Sequence, residues 1–197
     1  MTQLFESPRI GASTSLSSKV RINRKRKYEV VVQVFISYSY GDEQQNRNEN
    51  IKMAEEIVRP LLESLGFQVL TFRTNAGFGY TEKIITRYIE VSKVVIGIFT
   101  KDCKVSSDLW EPKPNILDEL GRAYRNNKNR IIVPIIEEGA SLRRYSNTIA
   151  LLDPCYKLFF KRDLNTGFNT YGEMLVKLVQ GLSKEFRFKA NIRTCQR

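Results

Sequence analysis

The chain is 197 residues long and 42% hydrophobic, enough for one ordinary domain with short extensions and too apolar for a disordered polymer. Lys and Arg total 32 against 21 Asp and Glu, but residues 1–27 hold seven bases against Glu6 and residues 184–197 hold five against Glu185. The body between is nearly neutral, which does not suit a folded face that grips phosphates, so nucleic acid is not expected as a partner. Histidine is absent, which excludes Ser-His and Cys-His nucleophile pairs and His-ligated metals.

Residues 1–27 combine a Ser-rich stretch with a Lys/Arg run, show no apolar periodicity, and read as a flexible basic arm. From Val30 to Ser37 the chain is an almost unbroken β-branched and aromatic run, the texture of a strand buried on both faces. Asn50 to Leu65 places Ile51, Ala54, Ile57, Val58, Leu61 and Leu62 at helical spacing, with Gly66 just past the end and Pro60 inside, where a bend is expected. Phe67–Phe72 reads as a short strand, Arg73–Tyr80 as a glycine-containing loop, Thr81–Val91 as a helix and Val94–Thr100 as a third strand. A polar connection containing Pro112 and Pro114 leads to a helix over 115–125. Strands follow at 131–136 and 156–160, and then a last helix over 171–186.

Strands alternating with helices predict a parallel sheet of about five strands with helices on both faces, a flavodoxin-like three-layer α/β fold. The domain is expected over 28–186, followed by a basic tail over 187–197. Cys103, Cys155 and Cys195 are odd in number and widely spaced, so neither a disulfide framework nor a zinc site is expected. No segment has the ~20 apolar residues of a membrane span, and the first residues lack a signal-peptide core. The chain reads as soluble and cytoplasmic.

In such a fold the loops leaving the carboxyl ends of the strands converge on one crevice. Three segments meet that condition, Ser37 to Glu43, Arg73 to Tyr80 and Asp102 to Glu119. Ser37-Tyr38-Ser39-Tyr40-Gly41-Asp42-Glu43 is dense in hydroxyls and carboxylates and suits ribose or phosphate recognition, or equally a turn that caps the next helix. Arg73 to Tyr80 sets two glycines around Phe78, which suits a mobile loop or an ordinary connection, and lacks the Gly-Lys-Ser/Thr of a phosphate-cradling loop. In Asn115 to Ala123, Ile116, Leu117, Leu120 and Ala123 form a buried stripe with Glu119 beside it. That carboxylate is either desolvated near the sheet edge or a surface group paired with Arg122, Arg125 or Arg130. Trp110, Tyr124, Phe159, Phe160 and Phe186 read as packing aromatics.

Val34 to Glu43 resembles the opening strand and loop of TIR (Toll/interleukin-1 receptor-like) domains, and Ile89 to Ile96 follows in TIR order. Pro114-Asn115-Ile116-Leu117-Asp118-Glu119-Leu120-Gly121 is similar to the glutamate-bearing helix of the bacterial TIR-like nucleotide-binding branch. The resemblance implies either cleavage of NAD, as substrate and with no cofactor or metal, or signalling through TIR-TIR self-association. It gives Glu119 the catalytic position and Ser37, Tyr38 and Asp42 the first loop of the nucleotide crevice. Phe78 and Tyr80 fall in the mobile loop, and Trp110 and Asn115 flank the approach to the helix as further substrate contacts. It implies an effector or signal generator of antiphage defence. Many TIR domains carry Ser-x-Trp-Cys directly before the glutamate, whereas Trp110 here is nine residues upstream. Glu-Leu-Gly-Arg-Ala also resembles the nucleophile helix of nucleoside deoxyribosyltransferases, without their full signature.

Overall fold

A computed structural model describes residues 31–40, 49–75, 81–107, 109–142, 155–162 and 170–186. The expected basic arm and tail lie outside these residues. Five parallel strands form one sheet in the order β2 (Gln68–Thr71), β1 (Gln33–Tyr38), β3 (Val94–Phe99), β6 (Ile131–Glu137), β7 (Leu158–Phe160). Two further strands, β4 (Cys103–Lys104) and β5 (Trp110–Glu111), pair antiparallel in a small hairpin inserted after β3. With the hairpin set aside, the order is the doubly wound one, with its topological switch between β1 and β3.

Strand alternation divides the interior into two cores. Val34, Ile36 and Tyr38 of β1 join Val94, Ile96 and Ile98 of β3 on one face. They are covered by Met53, Ala54, Val58 and Leu62 and by α4 (Tyr171–Phe186) through Met174, Leu178 and Leu182. Phe35, Val95, Phe99, Ile132 and Ile136 face the other way, under α2 (Thr81–Val91) and α3 (Pro114–Asn126). Val94 to Phe99 are all buried, which explains why β3 is apolar at every position rather than at alternate ones. The three-layer α/β fold is therefore as the sequence predicts. At the sheet edge the same alternation buries Phe160 and leaves Phe159 exposed, so Phe159 is not the packing aromatic expected of it.

The first helix departs from the expected simple bend. Residues 52–58 form a π-helical segment (Lys52–Val58) that runs directly into α1 (Arg59–Ser64), with the Arg59 N–H donating to Ala54 O five residues back. Pro60 explains it: in a regular α-helix its ring would meet the Glu56 carbonyl, and the wider turn ahead of it relieves that clash. The helix closes as expected on Gly66 at φ 87°. Gly66 N donates to Glu63 O, and Phe67 N to Leu62 O, the double bond pattern of a glycine C-terminus. β1 starts at Gln33 rather than Val30, because Val31 is already turned to solvent. Among the described residues no helix is long and apolar enough to cross a membrane.

Two side-chain devices set the position of α3. At its carboxyl end, the buried Arg130 guanidinium donates to Ala123 O at 2.7 Å and to Ser92 O at 3.0 Å, joining the ends of α3 and α2. Over the sheet, Leu120 lies on the bare backbone of Gly97, where an added Cβ would stand 2.5 Å from Leu120 Cδ1 and 2.6 Å from Cδ2. Leu120 is fully buried and has little room to move aside. Gly97→Ala is therefore expected to lower stability by about 1–3 kcal/mol through overpacking, measured by urea unfolding. A wild-type midpoint would show that α3 can lift without cost.

Candidate active site at the beta1 and beta3 carboxyl edge

Ser37 pairs with Gly97 in the register between β1 and β3, so the residue that admits α3 lies directly beside it. Ser37 shares the face of Phe35, toward α3. Glu119 sits on α3 next to Leu120 and is 5% exposed; Ser37 is 3% exposed. The two meet at the topological switch, the place where doubly wound sheets bind ligands.

Burial pushes the Glu119 carboxyl above the usual carboxylate range, and Asp118 adds to the rise. The Ser37 hydroxyl and the Arg122 charge pull it back only in part. Arg122 is itself shared with α2, 3.5 Å from both Glu82 and Thr86. Arg130, one of the surface partners open to Glu119 on sequence grounds, is committed to the helix-end carbonyls. Glu119 is thus the desolvated carboxylate, not the exposed salt-bridging one.

Ser37 Oγ lies close enough to Glu119 to act on its proton affinity, yet outside hydrogen-bond geometry. It is a buried hydroxyl with no hydrogen-bond partner among the described residues. Orphaned buried polar atoms are uncommon because each costs desolvation free energy. A desolvated acid beside an unsatisfied hydroxyl can hold a sugar hydroxyl, stabilise developing positive charge, or exchange a proton.

Tyr38, adjacent in sequence, points to the opposite face. Its hydroxyl donates to Glu55 Oε1 at 2.6 Å, and its ring tilts against Tyr40 with centroids 5.6 Å apart. Burial and then the Glu55 carboxylate push the Tyr38 pKa far up, so it stays a neutral donor. Burial alone would raise Glu55 too, but hydrogen bonds from Tyr38, Thr71 and Arg59 hold it below its usual value. Ser37 and Tyr38, both expected at the crevice, therefore serve different sides of the sheet.

Trp110 lies on β5, with Lys104 Nζ 5.8 Å from its ring centroid. Its backbone is bridged to Ala140, and its carbonyl accepts from Ser141 N at 2.7 Å, which ties the hairpin to the chain after β6 rather than to β1. Asn115 is exposed in the first turn of α3. Asp42, Phe78 and Tyr80 lie outside the described residues. Ser37 and Glu119 are the predicted pair brought together.

Sequence reading missed a buried polar network along the same edge. Asp102 Oδ1 accepts from Asn50 Nδ2 at 2.9 Å and from Thr100 Oγ1 at 2.8 Å, while Asp102 Oδ2 accepts from Lys113 N at 3.2 Å. Asn50 Oδ1 accepts from Arg162 Nη1 at 2.8 Å. Arg162 also reaches Glu137 through Nη2 at 2.8 Å and Nε at 3.3 Å, and Glu137 accepts the Lys101 N–H at 2.9 Å. The one available signal was Asp102 directly after a buried strand, inside a segment flagged by position alone.

A cavity of about 530 Å³ opens at the opposite, amino edge of the sheet, between α3 and α4, lined in part by Tyr124, Cys155, Tyr156 and Leu178. It is separate from the Glu119 crevice.

No protein-family model matches the chain, and neither does any curated protein. Among solved structures it is similar to a response regulator receiver domain protein from Clostridium thermocellum. Identity is 15%, the match covers 79% of this chain and 97% of that one, and the TM-score is 0.39.

The raised Glu119 pKa carries a stability signature. A carboxyl whose folded pKa lies above its unfolded value contributes most below the unfolded pKa, and that contribution is lost as pH rises through the folded pKa. Glu119→Gln is expected to raise the melting temperature near pH ~8 and to give no gain at about pH 4, where the unfolded carboxyl is also protonated. Thermal unfolding of both proteins across pH checks it; a variant less stable at every pH contradicts the assignment.

Proposed function

We propose that the chain is a TIR-like enzyme that cleaves the nicotinamide–ribose bond of NAD, with Glu119 as the catalytic residue. The observation that carries the reading is the Glu119 carboxyl, desolvated beside the orphaned Ser37 hydroxyl at the switch between β1 and β3. Departure of nicotinamide leaves positive charge on the ribose, and a carboxylate in a low-dielectric site stabilises it far more than one in water. Ser37 Oγ supplies a hydrogen bond to a ribose hydroxyl, which would satisfy it. Water, or a nucleophile within the same molecule, then takes the ribose carbon, giving ADP-ribose or a cyclised form.

This reading asks for neither a metal nor a cofactor. The cytoplasm is the implied setting of the reaction. Self-association of the TIR type is expected to accompany activity, and antiphage signalling is the implied setting.

NAD consumption by the purified chain over a concentration series tests the proposal. Glu119→Gln is expected to lower turnover by about 100-fold or more, and Ser37→Ala by roughly 10-fold, with the fold kept. Turnover by Glu119→Gln equal to wild type sinks the assignment. A folded wild type that spares NAD at every concentration favours a non-catalytic TIR interaction module.

A further inference from the structure

We infer that Asp102 is the positioning residue for Glu119, fixing the amino end of α3 through the buried network that crosses the carboxyl edge. The inference rests on the reading of Glu119 as the reacting group. Lys113 is the N-cap of α3 and makes no side-chain cap; Pro114 follows it and has no N–H to give. Asp102 Oδ2 holds the Lys113 N–H instead. Glu119 lies six residues further on, about 9 Å along the axis, so a tilt at the start of the helix moves its carboxyl against Ser37.

Asp102 cannot drift, because its other oxygen receives two donors, and one of them, Asn50, is itself held by Arg162. Asn50 enters from the start of the first helix, Arg162 from just beyond β7, and Glu137 from the end of β6. Asp102, Asn50, Thr100, Glu137 and Arg162 are all at most 6% exposed. Each donor atom in the set faces an acceptor, and a buried network paired in this way favours one arrangement over several. The segments it joins are far apart in sequence and meet along the carboxyl edge of the sheet. A displacement of about 1 Å at a reacting group can cost up to 100-fold in rate, so a strut of this kind acts on turnover more than on binding.

The test uses Asp102→Asn, and the Asn50→Asp/Asp102→Asn double variant, which exchanges carboxylate and amide. The single variant offers one oxygen where two were needed and turns an amide toward other donors. In the double variant the carboxylate at position 50 accepts from Arg162, and the amide at position 102 donates back across the pair while its oxygen keeps the Lys113 N–H. Two readouts are taken well below the unfolding temperature, with folding checked by circular dichroism. They are the titration of the Glu119 carboxyl by carbon-13 NMR, and kcat and KM for NAD. Asp102→Asn is expected to move the Glu119 titration down toward the ordinary carboxylate range and to lower kcat roughly 10- to 100-fold with KM little changed; the double variant restores both.

A folded Asp102→Asn with both readouts at wild-type values overturns the inference, as does a double variant that restores neither. If Asp102→Asn does not fold, Thr100→Val removes one donor at nearly constant volume and is read the same way, in the same direction and to a smaller extent. Should the wild type consume no NAD, the enzymatic reading fails alone, because the titration still reports whether Asp102 positions Glu119.

Discussion

Leu120 of α3 rests on the backbone of Gly97, so close that a single carbon added there would stand 2.5 Å from its side chain. That approach sets the depth of α3 over the sheet, and the depth of α3 sets where Glu119 stands against β1 and β3. Gly97 is the register partner of Ser37, and Glu119 precedes Leu120 on the helix. The contact that buries an apolar side chain therefore also carries a carboxyl into a place that water would otherwise occupy. Burying a Leu contributes about 1.5–3 kcal/mol, a favourable term that offsets the cost of desolvating the acid beside it.

The two ends of α3 are fixed by different chemistry. Its carboxyl end is held by the Arg130 guanidinium on the carbonyls of α2 and α3, a satisfied cation where helix dipoles favour one. Its amino end is held by an anion, Asp102, on the Lys113 N–H. Between these ends Glu119 is the group whose needs are not met locally: burial raises its proton affinity, and the Ser37 hydroxyl that acts on it has no hydrogen-bond partner among the described residues. Free energy withheld at a group between two firmly held helix ends is the pattern expected of a site prepared for a ligand.

The strands were legible because burial on both faces leaves an uninterrupted apolar run, and β3 and β6 match their expected spans almost residue for residue. Glu119 was legible as a polar residue beside a helical apolar stripe, although only the packing on Gly97 decides between a buried acid and a surface one. The alternation of β1 already separates Ser37 from Tyr38, since neighbours on a strand face opposite ways, but the sequence does not say which side carries the crevice. Pro60 announced a distortion, not the π-helical form that absorbs it. The network was invisible for another reason. Asn50, Asp102, Glu137 and Arg162 are polar residues scattered over more than half the chain, and nothing local marks them as buried. Strands of two residues, as in the β4–β5 hairpin, are too short to show an alternation at all.

The central claim is that the nicotinamide ribose of NAD is held between Ser37 and Glu119. Amide chemical-shift mapping of the Glu119→Gln protein titrated with NAD addresses it most directly, because a variant slow in chemistry keeps the substrate intact during the experiment. The account predicts saturable shifts centred on Ser37, Gly97 and the first two turns of α3. Shifts confined to the amino-edge cavity around Tyr124 and Tyr156, or none at millimolar NAD, would contradict it.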